Sequence, residues 1–134
     1  MSITALIRDA QAAVEAGVQA VHPSTLMQRE HNRTLLERAR QASRVFVATI
    51  GKAAAPWGRW WAAQEVANAG CIVVPAGYDT YGSDELPASW RRVEAGHPHP
   101  TDASARAGRL LLDMASACTR SDVLIIGLSG GGSA

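Results

Sequence analysis

The sequence predicts an α/β fold in three layers, with helices covering both faces of a mostly parallel sheet. Two observations predict it. Short apolar runs rich in β-branched residues alternate with longer segments of helical periodicity. These runs are continuously apolar and do not alternate with polar residues, which is typical of strands buried on both faces of a parallel sheet.

The first half of the chain is predicted to begin with two helices. Apolar residues keep an approximate 3.6-residue spacing from about Ile3 to Val21, and Pro23 ends that helix. Leu26–Arg40 is polar and arginine-rich, so we expect a short helix exposed to solvent. Arg44–Ile50 then forms the first strand.

A helix is predicted to start near Ala54, with Pro56 in its first turn, where the missing N–H costs nothing. Its three tryptophans are more typical of core packing than of a ligand platform; they are Trp57, Trp60 and Trp61. We expect Gly70 to cap this helix and Cys71–Pro75 to form the second strand.

The second half contains a predicted loop, two strands and a helix. The loop covers residues 76–90, and Arg91–Ala95 follows as a short strand. Thr101 or Asp102 caps an amphipathic helix, and Asp122–Leu128 is the last strand. This order of elements indicates a doubly wound, Rossmann-like sheet.

Composition excludes several classes of partner. The chain has 134 residues, 13 basic and 12 acidic, with no basic run, so we expect neither nucleic acid nor a membrane as partner. Cys71 and Cys118 lie in apolar stretches without metal-type spacing, which favours a reduced, cytoplasmic protein. The N-terminus lacks a signal-peptide core, and no apolar stretch is long enough to span a membrane.

The last predicted strand runs directly into the glycine-rich segment Ser129–Ala134. A strand followed by a glycine loop normally leads into another element. We therefore interpret residues 1–134 as the front part of an incomplete domain. An alternative is that the glycines form a flexible tail or linker, which their composition allows.

Lys52 is the only lysine, and the other 12 basic residues are arginine. It follows the first strand at Gly51, beside a predicted helix start, where backbone N–H groups and the helix dipole favour anions. A lysine at this turn of an arginine-biased chain indicates a site that needs a compact point charge. The alternative is a chance lysine in an arginine-biased proteome.

Three features are predicted to meet at the C-terminal edge of the sheet, where α/β proteins bind ligands. They are the Gly51-Lys52 turn, the segment Glu94–Pro100 with His97, and the glycine cluster. Backbone N–H groups of Gly130, Gly131 and Gly132, with the hydroxyls of Ser129 and Ser133, could bind an oxyanion. The lysine turn is not a P-loop, because Phe46 and Ala53 occupy positions that require Gly and Ser or Thr.

Two short motifs suggest other chemistry. Gly127–Gly131 matches the G-x-S-x-G nucleophile elbow of serine hydrolases, with Ser129 as nucleophile, but no Asp and His follow it in the chain. His97 and His99 could share one face of an extended segment and bind zinc, but no third ligand has suitable spacing. We assign no metal ligand.

The three edge motifs together resemble a known family. G-K-A-A after the first strand, E-A-G-H-P-x-P in the middle and S-G-G-G-S-A after the last strand are similar to the N-terminal domain of class II glycerate kinases, the glycerate 2-kinase group. Members of this family often carry the label hydroxypyruvate reductase. The resemblance covers essentially the whole chain.

The resemblance implies an enzyme that uses ATP and Mg²⁺ to phosphorylate D-glycerate to 2-phosphoglycerate. It implies that residues 1–134 are the front part of the N-terminal domain, with the rest of that domain and a C-terminal domain absent. It also implies that Lys52 is the active-site lysine and that Gly51, His97 and Ser129–Ser133 bind substrate or phosphate.

Alternatives to the kinase hypothesis remain open. NAD(P)H-dependent hydroxypyruvate reduction would need a dinucleotide fingerprint, which the sequence lacks. A non-catalytic anion-binding fragment is the third class. We expect residues 1–134 alone to be catalytically silent and to form homo-oligomers through an exposed sheet edge.

Overall fold

The computed structural model describes residues 2–78 and 86–132, apart from the side chain of His31. The elements in chain order are α1 (Ile3–Ala20), α2 (Pro23–Leu26), α3 (Glu30–Gln41), β1 (Val45–Ile50), α4 (Ala54–Ala63), β2 (Ala69–Pro75), β3 (Trp90–Ala95), α5 (Asp102–Ser116) and β4 (Val123–Leu128).

The four strands form one parallel sheet in the order β3-β2-β1-β4. Ile50 at the end of β1 pairs with Val73 of β2 on one side and with Leu128 of β4 on the other. The C-terminal ends of neighbouring strands therefore meet at one edge. The predicted α/β class with a mostly parallel sheet is confirmed.

Helices cover the two faces of the sheet with separate hydrophobic cores. Ile72 and Val74 of β2 belong to a cluster with Trp61 of α4. Cys71 and Val73, which alternate with them along β2, belong to a second cluster with Ala107, Leu111 and Met114 of α5. Because successive strand residues point to opposite faces, α4 and α5 lie on opposite sides of the sheet and give the three layers.

The structure corrects two sequence predictions. The helix expected over Leu26–Arg40 is interrupted: α2 ends at Leu26, and α3 begins at Glu30 with Arg29 as its N-cap residue. Gly70 does not cap α4 but lies inside β2, where the ring of Trp90 occupies the space that a Cβ would need. The helix ends instead at Ala63, and the left-handed backbone after it belongs to Glu65, with φ of 54°.

Other predictions are confirmed. Pro56 falls in the first turn of α4, and Thr101 is the N-cap residue of α5 in a capping box with Ser104.

Part of the predicted loop, residues 79–85, lies outside the described residues. In the part of the chain that the structure describes, no helix has both the length and the apolar character needed to cross a membrane.

Candidate oxyanion site at the sheet edge

The turn after β1 is built around Gly51, which has φ of 108°. Its N–H donates to the carbonyl oxygen of Val73 at 3.0 Å. A Cβ at this position would lie 2.5 Å from both the carbonyl oxygen and Oγ of Ser129. Glycine is therefore required here for the backbone angle and for the close approach of the loop after β4.

Hydrogen bonds attach the loop Ser129–Gly132, the glycine loop, to the start of α4. The Ser129 N–H donates to the Ile50 carbonyl at 2.9 Å, and the Lys52 N–H donates to the Gly130 carbonyl at 2.9 Å. Ser129 Oγ accepts from the Ala53 N–H at 3.0 Å and donates to the Ile50 carbonyl at 3.2 Å. The described part of the glycine cluster is therefore integrated into the sheet edge, unlike a flexible tail.

Lys52, His97 and the glycine loop come together. A Cβ built on Gly131, whose φ is 84°, would lie 3.2 Å from Cγ and Cε of Lys52 and 3.6 Å from Cε1 of His97. The Lys52 side chain is exposed, and its Nζ lies 4.9 Å from the ring centroid of Tyr78. The predicted convergence of the three motifs at one edge is present in the structure.

The segment before α5 holds His97 in place. Ser104 Oγ accepts from the N–H groups of Gly96 at 3.2 Å and Thr101 at 3.1 Å. The His97–Pro98 peptide bond is cis. Nδ1 of His97 is buried and has no hydrogen-bond partner among the described residues.

The glycine loop offers backbone donors beside this cluster. Within residues 2–78 and 86–132, the N–H groups of Gly130 and Gly131 have no hydrogen-bond acceptor. Successive glycine N–H groups next to a lysine side chain form an arrangement suited to an oxyanion such as phosphate or carboxylate. A small cavity at the same edge is lined by Ile50, Gly51, Val73, Val74, Pro75, Ala95, Gly96, Gly131 and Gly132.

The geometry of Ser129 does not resemble a nucleophile elbow. Such a serine sits on a strained turn with its hydroxyl exposed. Both hydrogen bonds of Ser129 Oγ are to backbone groups, and its φ is not positive. Its hydroxyl instead fastens the glycine loop to α4.

Metal ligands are not assembled in the described chain. No group of three His, Cys, Asp or Glu side chains suited to a metal ion occurs in residues 2–78 and 86–132. His97 and His99 therefore gain no third ligand there. The carboxylate of Glu94 is paired with Arg92 at 2.7 Å. The described residues therefore do not by themselves form a Mg²⁺ site.

The groups whose pKa departs from its ordinary value lie away from this edge of the sheet. Arg44 and Asp122, just before β1 and β4, form an ion pair at 2.7 Å. Hydrogen bonds from Arg44 and then from Thr119 hold the pKa of Asp122 well below its usual range, and the same pair raises the pKa of Arg44. Burial raises the pKa of the Cys71 thiol. None of these groups belongs to the candidate site.

All but one of the predicted site residues lie at this edge: Gly51, Lys52, His97 and Ser129–Gly132. Ser133 lies outside the described residues. Sequence reasoning missed Tyr78, whose ring contacts both Lys52 and His97. The available signal was an aromatic residue directly after Gly77, at the C-terminal end of a buried strand.

Two solved structures resemble the chain. A glycerate kinase (EC 2.7.1.31) from Thermotoga maritima aligns with 97% of this chain at 23% identity and a TM-score of 0.70, which shows a shared fold. The PH0495 protein from Pyrococcus horikoshii OT3 aligns with 69% at 30% identity and a TM-score of 0.58. The present chain covers only 30% and 20% of those two chains, respectively. No curated protein matches it significantly.

A family model described as a domain of unknown function, DUF4147, matches residues 9–134. That domain is the N-terminal domain of glycerate kinase family proteins. The match covers nearly all of the chain and agrees with the family that its three edge motifs resemble. The chain therefore belongs to the DUF4147 family.

Proposed function

We propose that the chain supplies the oxyanion-binding part of a glycerate 2-kinase, which transfers the γ-phosphoryl group of ATP to the 2-hydroxyl of D-glycerate. The observation that carries this proposal is the meeting of Lys52, His97 and the glycine loop at the C-terminal edge of the parallel sheet. Family membership supports the same assignment.

The chemistry suits this arrangement. Phosphoryl transfer depends on positioning and on neutralising charge, with little covalent chemistry for the protein to perform. The Lys52 ammonium supplies a point charge, and the N–H groups of Gly130 and Gly131 supply directed donors. His97 borders the same site, with its Cε1 3.6 Å from a Cβ built on Gly131. These groups suit a phosphate of the nucleotide or the carboxylate of glycerate.

We propose that this chain forms one part of the catalytic unit. The T. maritima glycerate kinase is a chain of which this one covers 30%. The residues in hand also lack a Mg²⁺ site within the described ranges. Metal ligands and the base for the glycerate hydroxyl would then come from residues outside the described ranges.

A coupled assay tests the proposed reaction. In the protein that contains this chain together with its adjoining sequence, ATP, D-glycerate and Mg²⁺ should give ADP that depends on glycerate. The same preparation should not oxidise NADH or NADPH with hydroxypyruvate. Nicotinamide oxidation without ADP formation would replace the kinase by a reductase, and phosphate binding without either reaction would indicate a non-catalytic anion-binding protein.

A further inference from the structure

The Lys52 side chain is held from two sides. Its stem passes Gly131, where a Cβ would lie 3.2 Å from the lysine Cγ and Cε. Its ammonium lies over the ring of Tyr78, with Nζ 4.9 Å from the centroid. The edge contact of Tyr78 with His97 has ring centroids 6.2 Å apart and an interplanar angle of 84°.

A tight turn sets the position of Tyr78. The Tyr78 N–H donates to the Pro75 carbonyl at 3.0 Å, and Gly77 between them has φ of 77°. A positive φ at the third of four residues, with this hydrogen bond, is typical of a type II turn, which requires glycine there. The turn follows β2 directly, and Ala76 is tied to the end of β3 by its N–H donating to the Ala95 carbonyl at 2.9 Å.

We propose that Tyr78 is a positioning residue that holds the Lys52 ammonium beside the glycine loop through the face of its aromatic ring. This inference rests on the proposed function, because it assigns a role at the same oxyanion site. A lysine has four rotatable side-chain bonds and loses much freedom on binding an anion. A ring that attracts the ammonium within about 6 Å reduces that loss in advance.

The ring, and not the hydroxyl, carries this role, because the contact is with the face of the aromatic system. Tyr78→Phe should therefore preserve the position of Lys52, whereas Tyr78→Leu should release it. The chain offers a matched control in Phe46, whose ring lies 5.3 Å from the guanidinium carbon of Arg44. Phe46→Leu removes a cation–π pair of the same kind at the other end of β1.

The single lysine makes a direct measurement feasible. Selective isotope labelling of lysine in the full chain gives side-chain NMR signals from Lys52 alone. The Tyr78 ring should shift the Lys52 ε-proton signals upfield. We expect that shift in the wild type, Tyr78→Phe and Phe46→Leu, and its loss in Tyr78→Leu. An unchanged signal in Tyr78→Leu, or its loss in Tyr78→Phe, would overturn the proposal.

Titration with inorganic phosphate measures the consequence and separates it from the proposed function. Tyr78→Leu should raise the phosphate Kd by about threefold to tenfold, the size expected from losing one cation–π contact. Tyr78→Phe, which keeps the ring, should retain the wild-type phosphate Kd. If Lys52→Met also weakens phosphate binding but Tyr78→Leu does not, the positioning role is wrong and the oxyanion site stands. If Lys52→Met leaves the Kd unchanged, the site itself is wrong.

Discussion

Lys52 combines an unusual residue choice with a defined location, because the only lysine of the chain stands at the turn where β1 meets the glycine loop. Its stem passes Gly131, and its compact ammonium lies over the Tyr78 ring. An arginine has a planar fork that presents its charge differently and needs more room. Residue type at this position should therefore affect turnover.

We expect both Lys52→Ala and Lys52→Arg to lose most of kcat/KM for D-glycerate phosphorylation, by about 100-fold or more, as for removal of a donor to a transition-state oxyanion. Steady-state kinetics on the protein containing the chain measures this. Arg8→Ala, which removes an exposed positive charge from α1, should leave kcat/KM unchanged. Near-native activity of Lys52→Arg would refute the need for a lysine.

Gly51 gives a prediction about stability. Gly51→Ala must place a Cβ 2.5 Å from Ser129 at a φ of 108°, so it should displace the glycine loop and destabilise the fold by about 2 kcal/mol or more. Urea unfolding monitored by tryptophan fluorescence measures the loss. Gly17→Ala is the control, because nothing lies within 4 Å and alanine favours the helix, so it should be neutral or stabilising. Equal effects would contradict the steric argument.

At the scale of elements, β1, β2 and β4 were predictable because each is a largely continuous apolar run. Helix α5 was predictable from its cap and its apolar spacing. The break between α2 and α3 was missed because Leu26–Arg40 lacks a strong breaker. Gly70 was wrongly predicted to cap a helix. Glycine is needed there because the Trp90 ring occupies the space of a Cβ, and Trp90 lies 20 positions later in the chain. Tyr78 was missed for a similar reason, since its partners Lys52 and His97 come from two other segments of the chain.

The ion pair between Arg44 and Asp122, just before β1 and β4, predicts that the free energy of unfolding depends on pH. The folded-state pKa of Asp122 is lowered chiefly by Arg44, so its stabilising contribution is present above the unfolded-state pKa of about 4 and is lost as pH falls below it. Asp122→Asn should therefore reduce the free energy of unfolding at pH 7, and the difference from wild type should shrink toward pH 2.

Urea unfolding of both proteins at several pH values measures that difference. Asp9→Asn serves as the control, because both side chains of the Arg8–Asp9 pair are exposed and such pairs stabilise little. The side chain of Asp122, in contrast, is only 1% exposed. A gap between wild type and Asp122→Asn that stays constant from pH 7 to pH 2 would contradict the assigned role of this ion pair.

At the scale of the whole molecule, β4 borders only β1 within the described residues, and its side chains Ile126 and Leu128 are 57% and 67% exposed. An edge strand with exposed apolar side chains is a site for pairing between chains. We expect residues 1–134 to self-associate there, and Ile126→Glu to shift the equilibrium toward monomer without unfolding the chain.

Sedimentation velocity over a range of protein concentrations tests this association. Leu112→Glu is a matched control, because Leu112 of α5 is 68% exposed but lies on a helix. It should leave the association unchanged. A wild-type chain that remains monomeric at high concentration, or a Leu112→Glu variant as monomeric as Ile126→Glu, would show that the β4 edge is not the contact.

The oxyanion site formed by Lys52 and the glycine loop is tested most directly by a phosphate titration of the ¹⁵N-labelled chain. We predict saturable shifts of the Gly130, Gly131 and Lys52 amide signals, which Lys52→Ala abolishes or strongly weakens. Absent shifts at these amides would contradict the account. So would shifts confined to another cavity of the structure, the one lined by His22, Ser24, Pro56, Arg59 and Trp60.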